Sequence, residues 1–445
     1  MKNEILELIN KDFSDRQVIK KKFSDMNIVD IAEIFEDIDK EKVLQIFRLL
    51  PKDKAADVFS YISTENQKLI IEAITDKELA GIVNDLYLDD TVDLLEEMPA
   101  NVVKKVLKNT DKTTRKIINQ FLNYPEDSAG SVMTIEYIDL KKNLTVKEAI
   151  SKIRRTVDDK ETFDICYVID NRRILEGIVS IRDILLANDE QKIEDIMDKN
   201  IIYVYTTDDK EIVSNLFMKY DCSSLAVVDK EKRLVGIITV DDVVDIIQDE
   251  NTEDFEIMAA ITPSEKPYLK TNVFQLAFNR IPWLLFLMIS ATLTGLVINK
   301  FEAQLAVQSA LIAFIPMLMD TGGNSGSQAA TLAIRGLALN EITVSDFLII
   351  IFKETFIGSI AGFVLAVFNF IRLIILKYDT MVSLTVCCSI LLTVVLANII
   401  GGILPLIAKF FKMDPALMAA PLITTIVDVI SLIAYFSIAS IFMKF

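Results

Sequence analysis

The sequence predicts a multidomain α + α/β membrane protein: an N-terminal α-helical solenoid, a tandem pair of α/β repeats, an acidic connecting helix and a five-helix transmembrane domain. Three observations predict this organisation. A 12-residue repeat runs through residues 27–122, a second repeat recurs at an offset of 59 residues, and five long hydrophobic stretches follow residue 271. The predicted boundaries are 1–125 for the helical domain, 126–249 for the α/β pair, 250–270 for the end of the connecting helix and its linker, and 271–445 for the transmembrane domain.

The charge of the chain is divided unevenly between these parts. Residues 1–270 hold 38 Lys and Arg against 56 Asp and Glu, whereas residues 271–445 hold nine against eight. An acidic soluble part repels nucleic acid and attracts cations, although a solvated acidic surface is the usual meaning of charge excess alone. The chain has no histidine, and its four cysteines form no Cys-x-x-Cys pair, so neither a zinc site nor a disulfide framework is indicated. Any metal is therefore expected on oxygen ligands.

The 12-residue repeat predicts a series of short capped helices. Each unit opens with a polar or turn-forming residue and continues with apolar residues at helical spacing. Such a unit buries its apolar face only by stacking on its neighbours, which predicts a small solenoid. The units begin at Asn27, Asp39, Pro51, Ser63, Thr75, Tyr87, Pro99 and Asp111.

The second repeat contains two short β-branched strands and a closing helix. Residues 167–170 (YVID) and 177–185 (GIVSIRDIL) recur as 226–229 (AVVD) and 236–244 (GIITVDDVV). Both copies contain the strand-to-helix turn G-hydrophobic-hydrophobic-[ST]-x-x-[DN]. This pattern resembles a tandem pair of CBS domains, named after cystathionine β-synthase. Any other pair of α/β repeats is the alternative.

One long acidic helix is predicted from Thr239 to Ile261. It carries eight acidic residues between Asp241 and Glu256 and no basic residue among them. Like charges at helical spacing destabilise an isolated helix. Cations or nearby basic groups are therefore expected to compensate these charges.

The five hydrophobic stretches are each long enough to cross a hydrocarbon core of about 30 Å. The first ten residues of the chain have no apolar signal core, so the soluble part is expected in the cytosol of a multi-pass plasma-membrane protein. Basic residues weakly favour this orientation, with seven at the cytosolic ends and four at the outer ends of the stretches. The stretches are about 274–298, 303–338, 347–376, 382–408 and 416–442.

Asp428 is the most informative single residue. It lies near the middle of the last stretch, where a carboxylate costs roughly 2.5–3.5 kcal/mol unless it faces water or a partner. Thr424, Thr425 and Ser431 stand about one helical turn from it and complete an oxygen-rich stripe. The stripe favours a role in ion permeation. A structural hydrogen bond between helices is the alternative.

A glycine-rich segment interrupts the second stretch at residues 320–328 (DTGGNSGSQ), shortly after Pro316. A helix broken at membrane depth would free backbone carbonyls as candidate cation ligands, whereas a tight helix-packing kink is the alternative. Gly401 and Gly402 in the fourth stretch are expected to be packing residues. Asp414, before the last stretch, is expected to cap that helix or to lie at the cytosolic mouth of a pathway.

Several motifs in one order give a specific resemblance over nearly the full length. With these motifs the chain resembles the MgtE family of magnesium channels and transporters. The motifs are the CBS pair, residues 124–134 (YPEDSAGSVMT), 252–254 (TED), 280–285 (RIPWLL), 322–328 (GGNSGSQ) and 421–428 (PLITTIVD).

The resemblance implies a homodimer with a pore between two five-helix domains. Asp428 would select the ion, and the acidic helix would be a plug that closes the pore at high cytosolic Mg²⁺. Further implied Mg²⁺ ligands are Asp57, Asp89, Asp93, Asp209, Glu211, Asp221, Asp242, Asp245, Glu250, Glu253, Asp254 and Asp414. Implied pore-lining residues are Pro316, Gly322, Gly323, Asn324, Pro421, Thr424 and Thr425. Some CBS pairs bind ATP, and Arg182 and Asp183 are the candidate nucleotide-binding residues.

The expected function is that of a Mg²⁺-selective channel or transporter, with Mg²⁺ as both substrate and regulator. Mg²⁺ prefers octahedral oxygen ligands and dehydrates reluctantly, so carboxylates, hydroxyls and carbonyls suit it. The expected partners are a second copy of the chain and the lipid membrane, with no nucleic acid. Two alternatives remain: a broader carrier for Mn²⁺ or Co²⁺, and a membrane-anchored CBS nucleotide sensor, which would need no mid-membrane acid. The lack of histidine and of any clustered nucleophile disfavours an enzyme.

Overall fold

The structure is a computed structural model that describes residues 2–10, 16–52, 54–157, 160–264, 268–269, 271–301 and 309–443. The chain divides into two compact units, residues 1–247 and residues 248–445. Each unit has hydrophobic clusters of its own.

Short helices form the first part of the N-terminal unit. Among the described residues there are ten, α1 to α10, and most are eight to ten residues long. Their bounds are α1 Lys2–Asn10, α2 Arg16–Asp25, α3 Ile28–Glu36, α4 Lys40–Phe47, α5 Ala55–Ser60, α6 Thr64–Ala73, α7 Asp76–Asp85, α8 Leu88–Glu96, α9 Ala100–Asn109 and α10 Lys112–Phe121.

The repeat units begin where these helices begin. Side chains cap the first-turn amides at Asn27 and Asp111, and Thr75 forms a reciprocal capping box with Glu78. The unit that opens at Pro51 is the exception, because its helix α5 starts four residues later. The N-cap residues that match the repeat are Asn27, Asp39, Ser63, Thr75, Tyr87, Pro99 and Asp111.

Alternate helices pack against each other, as α3 does on α5 and α5 on α7. Buried phenylalanines 12 residues apart join successive layers. Phe35 meets Phe47 edge to face with ring centroids 6.3 Å apart, and Phe47 meets Phe59 at 5.9 Å. The stacking that the repeat predicts is confirmed.

Two three-stranded sheets complete the N-terminal unit. In each sheet the first strand runs parallel to the second, and the second runs antiparallel to the third. The predicted strand pairs are β2 with β3 and β5 with β6. The bounds are β1 Ile138–Leu140, α11 Val146–Thr156, β2 Ile165–Ile169, β3 Leu175–Ser180, α12 Ile181–Leu186, α13 Ile193–Ile196, β4 Tyr203–Tyr205, α14 Lys210–Tyr220, β5 Ser224–Val228, β6 Leu234–Thr239 and α15 Val240–Met258.

The glycine of each strand-to-helix turn allows a second backbone segment to cross the strand. A Cβ atom on Gly236 would lie 2.6 Å from the Thr134 carbonyl oxygen, and one on Gly177 would lie 3.1 Å from the Asp198 carbonyl oxygen. Only glycine permits so close an approach. The crossing brings the segment that begins each α/β copy beside the turn that ends the other copy.

The second unit consists mainly of long helices, which contain the membrane-spanning part. Four of its described helices, α16, α18, α19 and α20, are long and apolar enough to cross a membrane. The predicted count of five spans stays a prediction, and residues 303–308 at the start of the second stretch lie outside the described residues. The bounds are α16 Val273–Lys300, α17 Ile315–Ala338, α18 Phe347–Ile375, α19 Thr380–Phe410 and α20 Ala420–Met443.

The predicted break at residues 320–328 is wrong. Helix α17 is continuous from Ile315 to Ala338, and Pro316 occupies its first turn, where a missing amide proton is harmless. The glycines serve close packing instead. A Cβ on Gly322 would lie 2.8 Å from Thr393 of α19 and 3.0 Å from Val427 of α20, while Gly401 of α19 packs against the backbone of Gly326.

Candidate metal centre

Three carboxylates from separate elements converge in the N-terminal unit. Asp89 is the second residue of α8, Glu161 lies between α11 and β2, and Asp242 is the third residue of α15. One oxygen of each lies within 4.8 Å of one oxygen of each of the others. The cluster therefore lies where the helical solenoid meets both α/β copies.

Thr239 positions two of the three carboxylates. Its hydroxyl lies 2.7 Å from Asp242 Oδ2 and 3.0 Å from Glu161 Oε1. A hydroxyl has one proton, so it donates to one carboxylate at a time. The other oxygen of Glu161, Oε2, is buried without a hydrogen-bond partner among the described residues, as is Asp89 Oδ1.

Burial and mutual repulsion disfavour the charged forms of these groups. Desolvation is the largest cause and raises the pKa of Asp89 well above its ordinary value, that of Glu161 to about 7 and that of Asp242 to about 6. Neighbouring carboxylates, not bases, supply the remaining upward shifts. Desolvation likewise raises the pKa of Asp90 to about 6 and that of Asp93 to about 7.

Such a cluster can bind a divalent cation. Three carboxylates with unused oxygens supply the hard ligands that Mg²⁺ prefers, and the ion would remove the repulsion that raises their pKa values. In an octahedral Mg²⁺ site the greatest distance between two ligand oxygens is about 4.2 Å, which is twice the Mg–O bond length of 2.0–2.1 Å. Ligands spread over as much as 4.8 Å therefore need a small inward shift or a bridging water.

The structure brings together five of the residues that the sequence singled out. Asp89 and Asp242 belong to the cluster itself. The charges of Asp242 and Asp90 contribute to the raised pKa of Asp93. Asp57 in turn raises the pKa of Asp90, and Asp245 raises that of Asp242. Sequence reasoning missed three acids of this region, namely Glu161, Asp90 and Glu136, the last of which raises the pKa of Asp90. Asp90 could have been found from the sequence, because it follows Asp89 in the same repeat unit. Glu161 and Glu136 could not, because they lie in segments without helical or strand periodicity.

The candidate residues of α14 do not form one site. Asp209 is the N-cap residue of this helix and accepts a hydrogen bond from the Glu211 amide at 2.8 Å. Asp221 is the C-cap residue, with a left-handed φ of 50°. An 11-residue helix is about 16 Å long. Asp209 and Asp221 therefore cannot ligate one ion together.

The other candidates on the connecting helix lie beyond the cluster. Glu250, Glu253 and Asp254 belong to the part of α15 in the second unit. Glu253 is exposed, and the other two are partly buried. Asp414 is exposed and caps a short 3₁₀ helix, Pro415–Met418, by accepting from the Ala416 amide at 2.8 Å. Asp414 therefore acts as a cap, as expected, but for the 3₁₀ helix that precedes α20 and not for α20 itself.

The membrane-domain candidates lie on facing helices. Asp428 is half-buried on α20, and the hydroxyls of Thr424 and Thr425 both donate to the Pro421 carbonyl at 3.0 Å. Thr424 packs against α17 at Gly323, with 2.9 Å between its methyl carbon and an ideal glycine Cβ. Asn324 of α17 is exposed. The hydroxyls of both threonines are thus engaged within their own helix.

The two strand-to-helix turns of the α/β pair have diverged. In the first, Ser180 accepts from the Asp183 amide and its hydroxyl lies 2.6 Å from Asp183 Oδ2, while Arg182 and Asp183 are exposed. In the second, the corresponding Thr239 and Asp242 belong to the carboxylate cluster. Only the first turn therefore leaves its acid open to a ligand.

Family models match most of the chain. A model described as MgtE, divalent cation transporter, matches residues 315–438, and one described as the MgtE intracellular N domain matches residues 26–127. The CBS domain model matches residues 129–190 and 193–249. The "Magnesium transporter MgtE" of Thermus thermophilus is 33% identical over 97% of this chain and 96% of that protein, and the one of Bacillus subtilis is 32% identical over 93% and 91%.

Solved structures resemble the soluble part. The cytosolic domain of the Mg²⁺ channel MgtE in complex with ATP is 33% identical with a TM-score of 0.52, and covers 55% of this chain and 100% of that one. The soluble part of a magnesium transporter is 28% identical with a TM-score of 0.52, and covers 56% of this chain and 97% of that one.

Proposed function

Because the chain belongs to the MgtE family of divalent cation transporters, we propose that it moves Mg²⁺ across the membrane into the cytosol. The chain is a membrane protein with a cytosolic N-terminal region. The observation that carries the proposal is Asp428, a carboxylate in the third turn of a 24-residue apolar helix inside the matched transporter region. A helix that only anchored a protein would have no need of it.

In the proposed pathway Asp428 attracts and selects the ion. An intramembrane carboxylate is costly unless it faces water or a cation, and a hydrated Mg²⁺ can accept its charge without losing its water shell. We place the pathway between two copies of the chain, so that two Asp428 carboxylates face one ion. In one copy no residue of helix α16 is buried, which leaves this apolar helix free to contact a second copy or lipid.

Regulation by cytosolic Mg²⁺ is the second part of the proposal. Without an ion, the carboxylates of Asp89, Glu161 and Asp242 repel each other and loosen the contact between the solenoid and the α/β pair. Bound Mg²⁺ would hold them together, and further ions on Asp245, Glu250, Glu253 and Asp254 would hold the acidic helix in a closed arrangement.

Several ions must act together in this switch. Moving a gate from mostly open to mostly closed needs about 5.5 kcal/mol of differential binding. An exposed ion pair is worth about 0–1 kcal/mol, so no single surface site suffices. Inhibition by Mg²⁺ should therefore be steep.

ATP is a candidate second regulator. A relative's cytosolic domain was solved with ATP, and in this chain the exposed Arg182 and Asp183 mark the turn that remains open. We propose the nucleotide at this turn and the cation at the related turn of Thr239 and Asp242.

The experiment is metal flux into proteoliposomes of the full chain, with Mg²⁺, Mn²⁺, Co²⁺ and Ca²⁺ compared. Asp428→Asn should abolish or sharply reduce Mg²⁺ flux, because it removes the charge and keeps the volume. Glu341→Gln, an exposed acid in the loop after α17, is the control and should transport like the wild type. Unchanged flux in a folded Asp428→Asn protein would refute the pathway role. Equal Mn²⁺ and Mg²⁺ flux would favour the broader carrier.

A further inference from the structure

Helix α17 carries a polar face that no described residue buries. Five exposed residues follow one another at spacings of three or four positions, which places them on one side of the helix. The opposite side holds the glycines that pack against α19 and α20. The exposed residues are Asp320, Asn324, Gln328, Thr331 and Arg335.

This face is unlike the lipid-facing surface of the same unit. Most exposed residues of α18 are aromatic or aliphatic, among them Phe352, Phe356, Ile360 and Phe363, and the exposed polar residues are Lys353, Ser359 and Arg372. A row of acid, amide, hydroxyl and guanidinium groups would be costly in hydrocarbon, whereas it is well solvated along a water-filled pathway. The composition of the face therefore favours water as its neighbour.

Asp320 lies at nearly the same depth as Asp428. Gly322 packs against Val427, which directly precedes Asp428 on α20, and against Ser431, which follows Asp428 by about one helical turn. Asp320 precedes Gly322 by two residues, a rise of about 3 Å along the helix. The two carboxylates therefore lie within about one helical turn of each other along the helix axes.

The Asp320 carboxylate has no hydrogen-bond or ion-pair partner within the described part of the chain. It stands in the second turn of α17, beyond the first-turn amides that an acid at a helix start would compensate. Neither pairing nor capping accounts for it.

We propose that Asp320 is a second carboxylate of the ion pathway and, with Asn324, binds a hydrated divalent cation beside Asp428. This inference rests on the proposed transport of Mg²⁺ through this unit. Two carboxylates per chain at one depth double the negative charge that draws the ion in. Asn324, one turn further along the same face, offers its amide oxygen to the water shell of the ion.

Flux against external Mg²⁺ tests this role in proteoliposomes of the full chain. Asp320→Asn should raise the half-saturating external Mg²⁺ at least about threefold, because it lowers the local cation concentration. Asp320→Glu should restore most of the affinity, and Glu341→Gln should leave it unchanged.

The outcomes separate the two proposals. If Asp320→Asn matches the wild type while Asp428→Asn abolishes flux, the second carboxylate is refuted and the proposed function stands. If neither variant changes flux, both proposals fail.

Thiol labelling gives a measurement that does not depend on flux. In a chain whose four native cysteines are replaced, Asp320→Cys should react with a membrane-impermeant cationic thiol reagent, and Mg²⁺ should slow the reaction. Ile360→Cys, on the apolar face of α18, should remain unreactive. Equal inertness of both positions would overturn the proposal.

Discussion

Replacing Glu161 with glutamine should tighten the contact between α8 and the α/β pair when Mg²⁺ is absent. The pKa of Glu161 is about 7, against an ordinary value of 4.5, so ionising this side chain costs about 3 kcal/mol more in the folded protein than in the unfolded chain. Solvent screening of this half-buried side chain lowers the figure to about 2 kcal/mol. Glutamine avoids that cost and still accepts the Thr239 hydrogen bond.

Hydrogen exchange of the amides of α8, residues 88–96, in the full-length protein is the assay. With EDTA at pH 8, Glu161→Gln should slow their exchange about thirtyfold, which is about 2 kcal/mol at 1.36 kcal/mol per tenfold change. Mg²⁺ should add protection to the wild type and much less to the variant. The control is Glu190→Gln, which replaces an exposed acid of the α/β pair and should leave the exchange of the α8 amides unchanged.

The same assay at low pH completes the test. At pH 5.5, after correction for the intrinsic exchange rate, the gain should largely disappear, because Glu161 is then protonated in the wild type. Equal exchange of wild type and Glu161→Gln at pH 8 in EDTA would refute the repulsive cluster and leave these acids as ordinary surface charges.

The remaining predictions concern pH and helix packing. Without Mg²⁺, the protection of α8 against hydrogen exchange should fall as pH rises from about 4 to 7, because the folded form binds the protons of Asp93 and Glu161 more tightly than the unfolded chain does, with pKa values of about 7. Saturating Mg²⁺ at neutral pH should restore the protection. An exchange profile that does not depend on pH would contradict this prediction. Gly401→Ala should lower the free energy of unfolding of the membrane domain by about 1–3 kcal/mol, because the added methyl group would clash with the backbone of α17 at Gly326. Gly295→Ala, whose methyl group meets nothing within 4 Å, should be neutral, and equal stability of both variants would count against the packing.

Local signals sufficed where one segment decides its own structure. The helix starts at Asn27, Thr75 and Asp111 follow from capping residues that act on amides two or three positions away. The paired strands of each α/β copy follow from β-branched runs. By contrast β1 and β4, three residues each, are too short to leave a pattern and form by pairing with β2 and β5.

Features set by distant segments were not predictable in the same way. The glycines of α17 have low helix propensity, which predicted a break, but packing against α19 and α20 overrides that preference. Glu161 joins Asp89 and Asp242 only because the solenoid and both α/β copies meet there. No sequence pattern near Glu161 indicates that meeting, whereas Asp428 was identifiable because one charge in an apolar helix is conspicuous by itself.

The most direct test of regulated Mg²⁺ transport is flux in proteoliposomes as a function of Mg²⁺ on the cytosolic side. We predict that wild-type flux falls steeply with cytosolic Mg²⁺. Asp89→Asn combined with Asp93→Asn should make flux much less dependent on cytosolic Mg²⁺, because it removes both the repulsion that Mg²⁺ relieves and two candidate ligands. The matched control is the double replacement of two exposed acids of the solenoid, Asp25→Asn with Asp30→Asn, which should follow the wild-type curve. Superimposable inhibition curves for all three proteins would contradict the account.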